Sequence, residues 1–339
     1  MIHTPLNIRH TPNCQPYPWH PSVVYVDEGW NGHKWWMAET PFPPMDVAPY
    51  RDRWELPCIH YSDDGKNWYP ITSNPIDDID ETMLEAHNYL SDPHLLVKDG
   101  IMECWYRVSY LKEKKVYGNE TVLVKKTSTS GFEWSNREVI VDLRNEDNKK
   151  IWGGQIISPS IIWRNGLYMC WYVDRSSYMS NRKIRMTQSL NGKDWQISGE
   201  CSLLGLAVDP WHIDVQYYDD RYQLLVYDYD SIYWYDSLDG KQFNFVSKVI
   251  SPSNLIYDFS VEGLYRACSV KVENRIFVYY SAQRRQTCYI GLLTTTDRKL
   301  FEYVNGMSLC SYVNSDESIL GCLWKSLKRK IKKCIRHAK

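Results

Sequence analysis

No cysteine pair in this chain has the C-x-x-C spacing, although ten cysteines are present. That absence excludes the zinc and redox frameworks such spacing builds. No run approaches the roughly 18 apolar residues of a membrane-spanning helix. Residues Met1 to Trp19 lack the apolar stretch of a secretory signal. Cysteines without a framework and no visible signal together point to a reducing cytosol. A glycine-rich phosphate loop is also lacking. Asp228-Tyr229-Asp230 has the Asp-x-Asp form, but it falls inside a strand pattern. From Ser318 onward there is no acidic residue at all.

What is present is repetition. Ser158-Pro159-Ser160-Ile161-Ile162-Trp163 runs into Asn165-Gly166, and Leu167-Tyr168-Met169-Cys170-Trp171-Tyr172 follows. This reads as strand, tight turn, strand, because Asn-Gly accepts the positive φ that a two-residue hairpin needs. Related copies begin at His20, Asp92, His212 and Arg266. Their turns are placed at Gly32, with about four extra residues, and at Gly100, Asp220-Arg221 and Asn274-Arg275. A second motif follows each hairpin in phase. Its copies are Ser62 to Trp68, Ser128 to Trp134, Ser189 to Trp195 and Ser237 to Phe243, all of the form Ser-x-x-Gly-x-x-aromatic. Thr295 to Phe301 is a fifth, lacking the glycine. Five short-strand units at a period of roughly 40–50 residues or more imply propeller blades.

The expected architecture is all-β. Residues 1–19 form an irregular lead-in, 20–305 a five-bladed propeller, and 306–339 a linker and a basic amphipathic helical tail. Between Ser318 and Lys339 lie eight basic residues, whereas the whole chain carries −1. Leu320, Leu323, Trp324, Leu327, Ile331 and Ile335 recur at three- and four-residue spacing, one apolar stripe on a basic helix. Such a helix lies on an anionic membrane face. The expected location is therefore cytoplasmic, peripheral on the inner face of the membrane. The acidic propeller body excludes nucleic acid as a partner.

Inner strands of a propeller converge on one axis. Aligning the copies puts His20, Asp92, Ser158, His212 and Arg266 at equivalent places around its mouth. A purely structural repeat has no use for buried charge there, which costs desolvation. The mouth is therefore read as a polar binding site, with Arg107 and Asp214 nearby. Tyr 26 and Trp 15 are high counts. Aromatic faces suit the C–H faces of sugars, and Trp36 is the candidate platform, although most aromatics are expected between blades. Glu39, Glu55 and Glu262 are read as rim carboxylates. No metal ligand set and no cofactor are expected.

The five repeats, Asp92-Pro93-His94-Leu95 and the Ser-x-x-Gly-x-x-Trp turns resemble the furanosidase propellers of glycoside hydrolase family 43 and its relatives in families 32, 62, 117 and 130. The resemblance spans roughly residues 20–305. In family 43 it implies a base in a blade 1 Asp-Pro, a tuning Asp in blade 2 and a Glu acid two residues before the blade 3 Pro. Here Asp92 matches the second. His20 and Ile157 stand at the other two positions, so the usual carboxylate pair for inverting hydrolysis is displaced. The resemblance implies a carbohydrate-active enzyme acting on a glycosidic bond by hydrolysis or glycosyl transfer. Surface-polysaccharide metabolism is the expected setting. Asp92, His20 and His212 are the catalytic candidates, with Arg266, Arg107, Asp214, Glu39, Glu262 and Trp36 binding substrate. The alternatives are a glycan-binding propeller without catalysis and a protein-interaction propeller.

Overall fold

The computed structural model describes residues 3–11, 17–42, 55–79, 88–110, 120–175, 182–255, 258–285 and 287–315. The basic tail, 318–339, lies outside the described residues, as does the amphipathic helix read there. Blade 1 holds β1 (Asn7–Ile8), β2 (Ser22–Trp30), β3 (His33–Glu39), β4 (Cys58–Ser62) and β5 (Asn67–Pro70). Its β1 lies parallel on the outer edge of β5. Blade 2 holds β6 (Tyr89–Lys98), β7 (Ile101–Tyr110), β8 (Glu120–Ser128) and β9 (Glu138–Asp142). A seven-residue helix, α1 (Glu146–Trp152), leads on to blade 3. There follow β10 (Ile157–Arg164), β11 (Leu167–Asp174), β12 (Lys183–Ser189) and β13 (Gly199–Glu200). Blade 4 adds β14 (Ser202–Leu204) to the edge of an antiparallel set, β15 (His212–Tyr218), β16 (Arg221–Tyr227), β17 (Ile232–Ser237) and β18 (Gln242–Ile250). Blade 5 is β19 (Gly263–Val272), β20 (Arg275–Arg284), β21 (Thr287–Thr295) and β22 (Glu302–Val304), followed by α2 (Leu309–Ser315).

The hairpins follow their turn chemistry. Asn31-Gly32, Asp99-Gly100 and Asn165-Gly166 all take positive φ at both residues. In blade 4 the turn is Asp219-Asp220, one residue earlier than read, because both aspartates accept φ +55 and Arg221 already pairs with Tyr218. In blade 5 the turn is likewise one residue earlier, at Glu273-Asn274, since Arg275 pairs with Val272. The extra residues of blade 1 sit in a bulge between Tyr25 and Trp30, so its turn is as short as the others.

The second motif locks each blade to its neighbour. The hydroxyls of Ser62, Ser128, Ser189 and Ser237 accept from the backbone N–H of Gly65, Gly131, Gly192 and Gly240. Thr295 accepts from Arg298 in the same way, and Arg298 adopts φ +62 without being glycine. Glycine at 131 meets a further demand, since a Cβ there would lie 2.5 Å from the Trp36 ring of blade 1. Five apolar clusters fill the five seams between blades. Trp36, Trp68, Trp105, Trp171 and Trp234 are fully buried in them. The lead-in closes the ring: Leu6 N–H donates to Ile290 O (2.8 Å) and Met307 N–H to Pro5 O (2.8 Å).

Candidate active site

The inner strands of neighbouring blades run side by side around the axis without a shared ladder. Their backbone groups still need partners, and side chains supply them. Ser22 accepts from Leu95 N–H (2.9 Å), and the His94 Nε2 bonds Ile161 O (2.8 Å). Ser160 bonds both Val215 N–H (2.8 Å) and Val215 O (3.1 Å). Asp214 accepts from Ser269 N–H (3.1 Å), and the Cys268 thiol meets the Val23 backbone. Each is the third residue of its repeat, and each reaches the fourth residue of the next. Five rungs thus close a ring around the axis.

Two residues earlier on the same strands lie His20, Asp92, Ser158, His212 and Arg266. His20, Asp92 and Ser158 carry φ of +53, +55 and +51. Bulges displace the ladder at Ser91/His94, Ile157/Ser160 and Leu264/Ala267. A bulge with a left-handed residue re-aims the side chain, here from the sheet face to the axis mouth. Asp92 is the hub. Its Oδ2 accepts from Arg107 Nε (2.6 Å) and Ser158 N–H (3.0 Å). Its Oδ1 faces His212 Nδ1 at 3.5 Å and His20 Nε2 at 3.7 Å. The other His20 nitrogen is held by Thr40 Oγ1 at 2.7 Å. Asp92 Oδ1, His20 Nε2, both His212 ring nitrogens, Glu55 Oε2 and all three Arg266 nitrogens lack a partner among the described residues. All these side chains are buried.

Burial alone would raise Asp92. Arg107, His212, His20 and Arg266 outweigh it and hold the carboxylate far below its usual range. Burial lowers His20 to about 3 and His212 well below its ordinary value, so both imidazoles are neutral at pH 7. Glu55 goes the other way. Burial raises it to about 7 against the pull of Arg107, with the Asp92 charge adding to the rise. Two carboxyl groups within electrostatic range of one guanidinium are therefore pushed apart: Asp92 stays ionised, while Glu55 holds its proton up to about pH 7.

Tyr265 forms a wall of this mouth. Its ring centroid lies 4.3 Å from that of His212 and 5.2 Å from that of His20, and Trp19 stacks on it at 5.0 Å. Trp211 Nε1 donates to the Tyr265 hydroxyl at 2.9 Å. Sequence reading overlooked Tyr265; its place immediately before Arg266 was the available signal.

The remaining candidates lie elsewhere. Asp214 is a rung one layer deeper, with burial raising it to about 6. Trp36 is a seam residue packed against blade 2, its ring close against Gly131, so it lies between blades and not at the axis. Glu262 is exposed and caps Arg285 N–H in a turn. Glu39 is no rim group. It is fully buried, accepting from Trp19 N–H (3.1 Å) beside His10 and His60.

Two sets of side chains have the donor spacing of a metal site: His20, Asp92 and His212, and His10, Glu39 and His60. The reading that no ligand set exists rested on sequence spacing. Both sets draw on stretches far apart in sequence.

The fold is the five-bladed propeller of glycoside hydrolase family 43 structures. An N-acetylgalactosamine deacetylase from F. plautii, solved with blood group B trisaccharide, superposes with a TM-score of 0.69. It shares 17% identity over 87% of this chain and 94% of that one. A GH43 β-xylosidase/α-arabinofuranosidase from a compost microbial metagenome, solved calcium-free with xylotriose, gives 0.61 at 12% identity over 90% and 98%. The GH43_1 enzyme of Xanthomonas citri with xylotriose gives 0.60 at 10% identity over 91% and 95%. Identities this low establish the shared fold. No family model and no curated protein matches the chain.

Proposed function

We propose that this protein is a carbohydrate-active enzyme that acts on a glycosidic bond at the axis mouth. One arrangement carries the reading: Asp92 accepts from Arg107 Nε at 2.6 Å, while the buried Glu55 carboxyl, within electrostatic range of the same guanidinium, is pushed up to about 7. Environments that push two carboxyl pKa values apart assign an acid and a charge stabiliser. Glu55 donates its proton to the leaving-group oxygen. Asp92 Oδ1 faces the oxocarbenium-like charge that develops as the bond breaks. His20 and His212, being neutral, hydrogen-bond sugar hydroxyls rather than supply protons. This replaces the sequence expectation of a His acid, because burial strips imidazole of its charge. Arg266 offers three nitrogens without a hydrogen-bond partner among the described residues to a polar or anionic substituent. The structural neighbours described as bound to xylotriose or a blood group trisaccharide make sugars the first ligands to try. A glycan and nucleotide-sugar screen with product analysis tests the reading. Binding without turnover would leave a glycan-binding propeller, and no binding at all would refute both.

A second reading, removal of an acyl group from a sugar, has one observation in its favour. His20, Asp92 and His212 bring one nitrogen or oxygen each within 4.8 Å, and the F. plautii neighbour is described as a deacetylase. A divalent cation held there would supply Lewis-acid polarisation. Arg107 and Arg266 beside Asp92 oppose it electrostatically. Product analysis on acylated and free sugars separates the two reactions.

The setting we propose is surface-polysaccharide metabolism at the inner membrane face, by hydrolysis or transfer. Its support is the basic, apolar-striped sequence of 318–339. The full chain should pellet with anionic liposomes at low salt, and a chain ending before Ser318 should not. Equal pelleting of both removes that support.

A further inference from the structure

His10, Glu39 and His60 form a second buried polar cluster, away from the axis. Glu39 ends β3 and His60 lies within β4. The register Met37↔His60 and Glu39↔Cys58 puts both on one face of blade 1. His10 follows β1 and arrives from the lead-in. Its Nε2 lies 3.3 Å from Glu39 Oε1, and His60 Nδ1 lies 4.0 Å from the same oxygen. The three atoms fall within 4.8 Å of one another. The side chains of His10, Glu39 and His60 are 7%, 0% and 0% exposed. None of the three facing atoms has a hydrogen-bond partner among the described residues.

The outward-facing atoms, by contrast, are fixed. His60 Nε2 bonds Arg9 O at 3.0 Å, so that nitrogen carries the proton and the Nδ1 lone pair points into the cluster. Glu39 Oε2 accepts from Trp19 N–H. Orientation of ligands by such outer contacts is the habit of metal sites. Tetrahedral zinc with bonds of about 2.0–2.1 Å places its ligand atoms about 3.3 Å apart. His10 and Glu39 already have that spacing, and His60 Nδ1, 4.0 Å from the same Glu39 oxygen, is within about 1 Å of it. His10 and the Trp19 N–H face the Glu39 carboxylate.

We propose that His10, Glu39 and His60 bind a divalent transition-metal cation, zinc by ligand type, that fastens the lead-in to blade 1. Without a cation, His10 and Glu39 meet only as an ion pair at 3.3 Å, and His60 Nδ1 is left buried without a hydrogen bond among the described residues, a costly arrangement. With one, residues 9–10 and the turn at Trp19 are tied to the same centre. The adjoining seam is the one between blades 5 and 1: Met37 packs there, and the buried Cys288 thiol of β21 feels the Glu39 charge. Trp19 precedes His20, so the cation also steadies the backbone that delivers His20 to the axis.

The test uses the full chain, stripped with a chelator and titrated with Zn²⁺ or Co²⁺ alone. The Asp92→Asn variant removes the axis set, so the zinc it retains reports on this cluster. One equivalent is expected, with the visible Co²⁺ bands of a tetrahedral site. Outer contacts are worth roughly 10–100-fold in metal affinity, so removal of a ligand in His10→Gln should weaken binding by about 100-fold or more. Zinc should also raise the Tm of the unmutated chain, a readout that needs no variant. Absence of zinc from both the unmutated chain and Asp92→Asn at micromolar concentration overturns the proposal and leaves a His10–Glu39 ion pair. Equal zinc affinity in folded His10→Gln overturns it as well.

Discussion

The axis carries two layers of side chains, two residues apart on the same five strands. The deeper layer is Ser22, His94, Ser160, Asp214 and Cys268. The upper is His20, Asp92, Ser158, His212 and Arg266. Backbone repeat and inward direction are common to both, yet their polar atoms are used differently. Every deeper residue bonds the backbone of the next blade, with His94 Nδ1 left over. In the upper layer only Asp92 and Ser158 do so, through Ser158 N–H at 3.0 Å and Ile213 O at 2.9 Å. Asp92 Oδ1 and nitrogens of His20, His212 and Arg266 stay buried without a hydrogen-bond partner among the described residues. A buried polar group without a partner costs about 1–3 kcal/mol. A fold needing only stability would not concentrate such groups at one level. The contrast separates what holds the propeller from what the propeller holds.

The sharpest way to break this contrast is to exchange one residue in each layer. Asp92→Asn keeps shape and removes charge, so turnover should fall by about 10²–10³, the scale for losing one preorganised electrostatic group. Far-ultraviolet circular dichroism should stay unchanged; unchanged turnover would remove Asp92 from the chemistry. Next in size is the pH dependence. Glu55 must be protonated to act, so activity should decline as pH rises through about 7. In Glu55→Gln that limb should vanish along with most of the rate; a surviving limb would assign it to another group. The same Glu55 binds its proton more tightly folded than unfolded, so its contribution to stability should diminish between its unfolded value and about pH 7.

Ser160→Ala addresses the deeper layer. It leaves Val215 N–H and O without their partner, at about 1–3 kcal/mol. A lower urea midpoint with an unchanged m-value and an unchanged KM would mark the layer as structural. A changed KM at full stability would erase the distinction. Glu262→Gln should have the smallest effect, within about 0.5 kcal/mol and without loss of rate, as an exposed residue remote from both layers.

Much of this was legible in the sequence, and the reasons differ by residue. Proline follows His20, Asp92 and Ser158, and apolar strand residues follow each, so alignment alone brought the upper layer together. The same alignment hid the deeper layer, because Ser, His, Asp and Cys at one repeat position look unrelated until their shared backbone partner is seen. Glu55 belongs to no repeat. It lies in the connection between β3 and β4 with φ +56, a conformation no periodicity announces. Trp36 misled because its ring packs against blade 2 in a seam, and ring type does not say which side of a blade a residue serves. His10, Glu39 and His60 come from three stretches that only the closed ring brings together.

That closure bears on how the molecule is made. Four rungs join blades that follow one another along the chain, and these links can form as each hairpin pair condenses. The rung from Cys268 to Val23 joins the last blade to the first and must wait for everything between. Contacts of such long sequence separation are slow to form. Until this one is made, blade 1 and blade 5 each expose an apolar flank and an unmet inner strand. Two unfinished chains at high concentration offer each other the same complement that each offers itself. Dilution during refolding therefore favours the monomeric ring, and crowding of nascent chains favours exchanged blades. A protein built as a circle carries its assembly hazard at the one joint where the circle is completed.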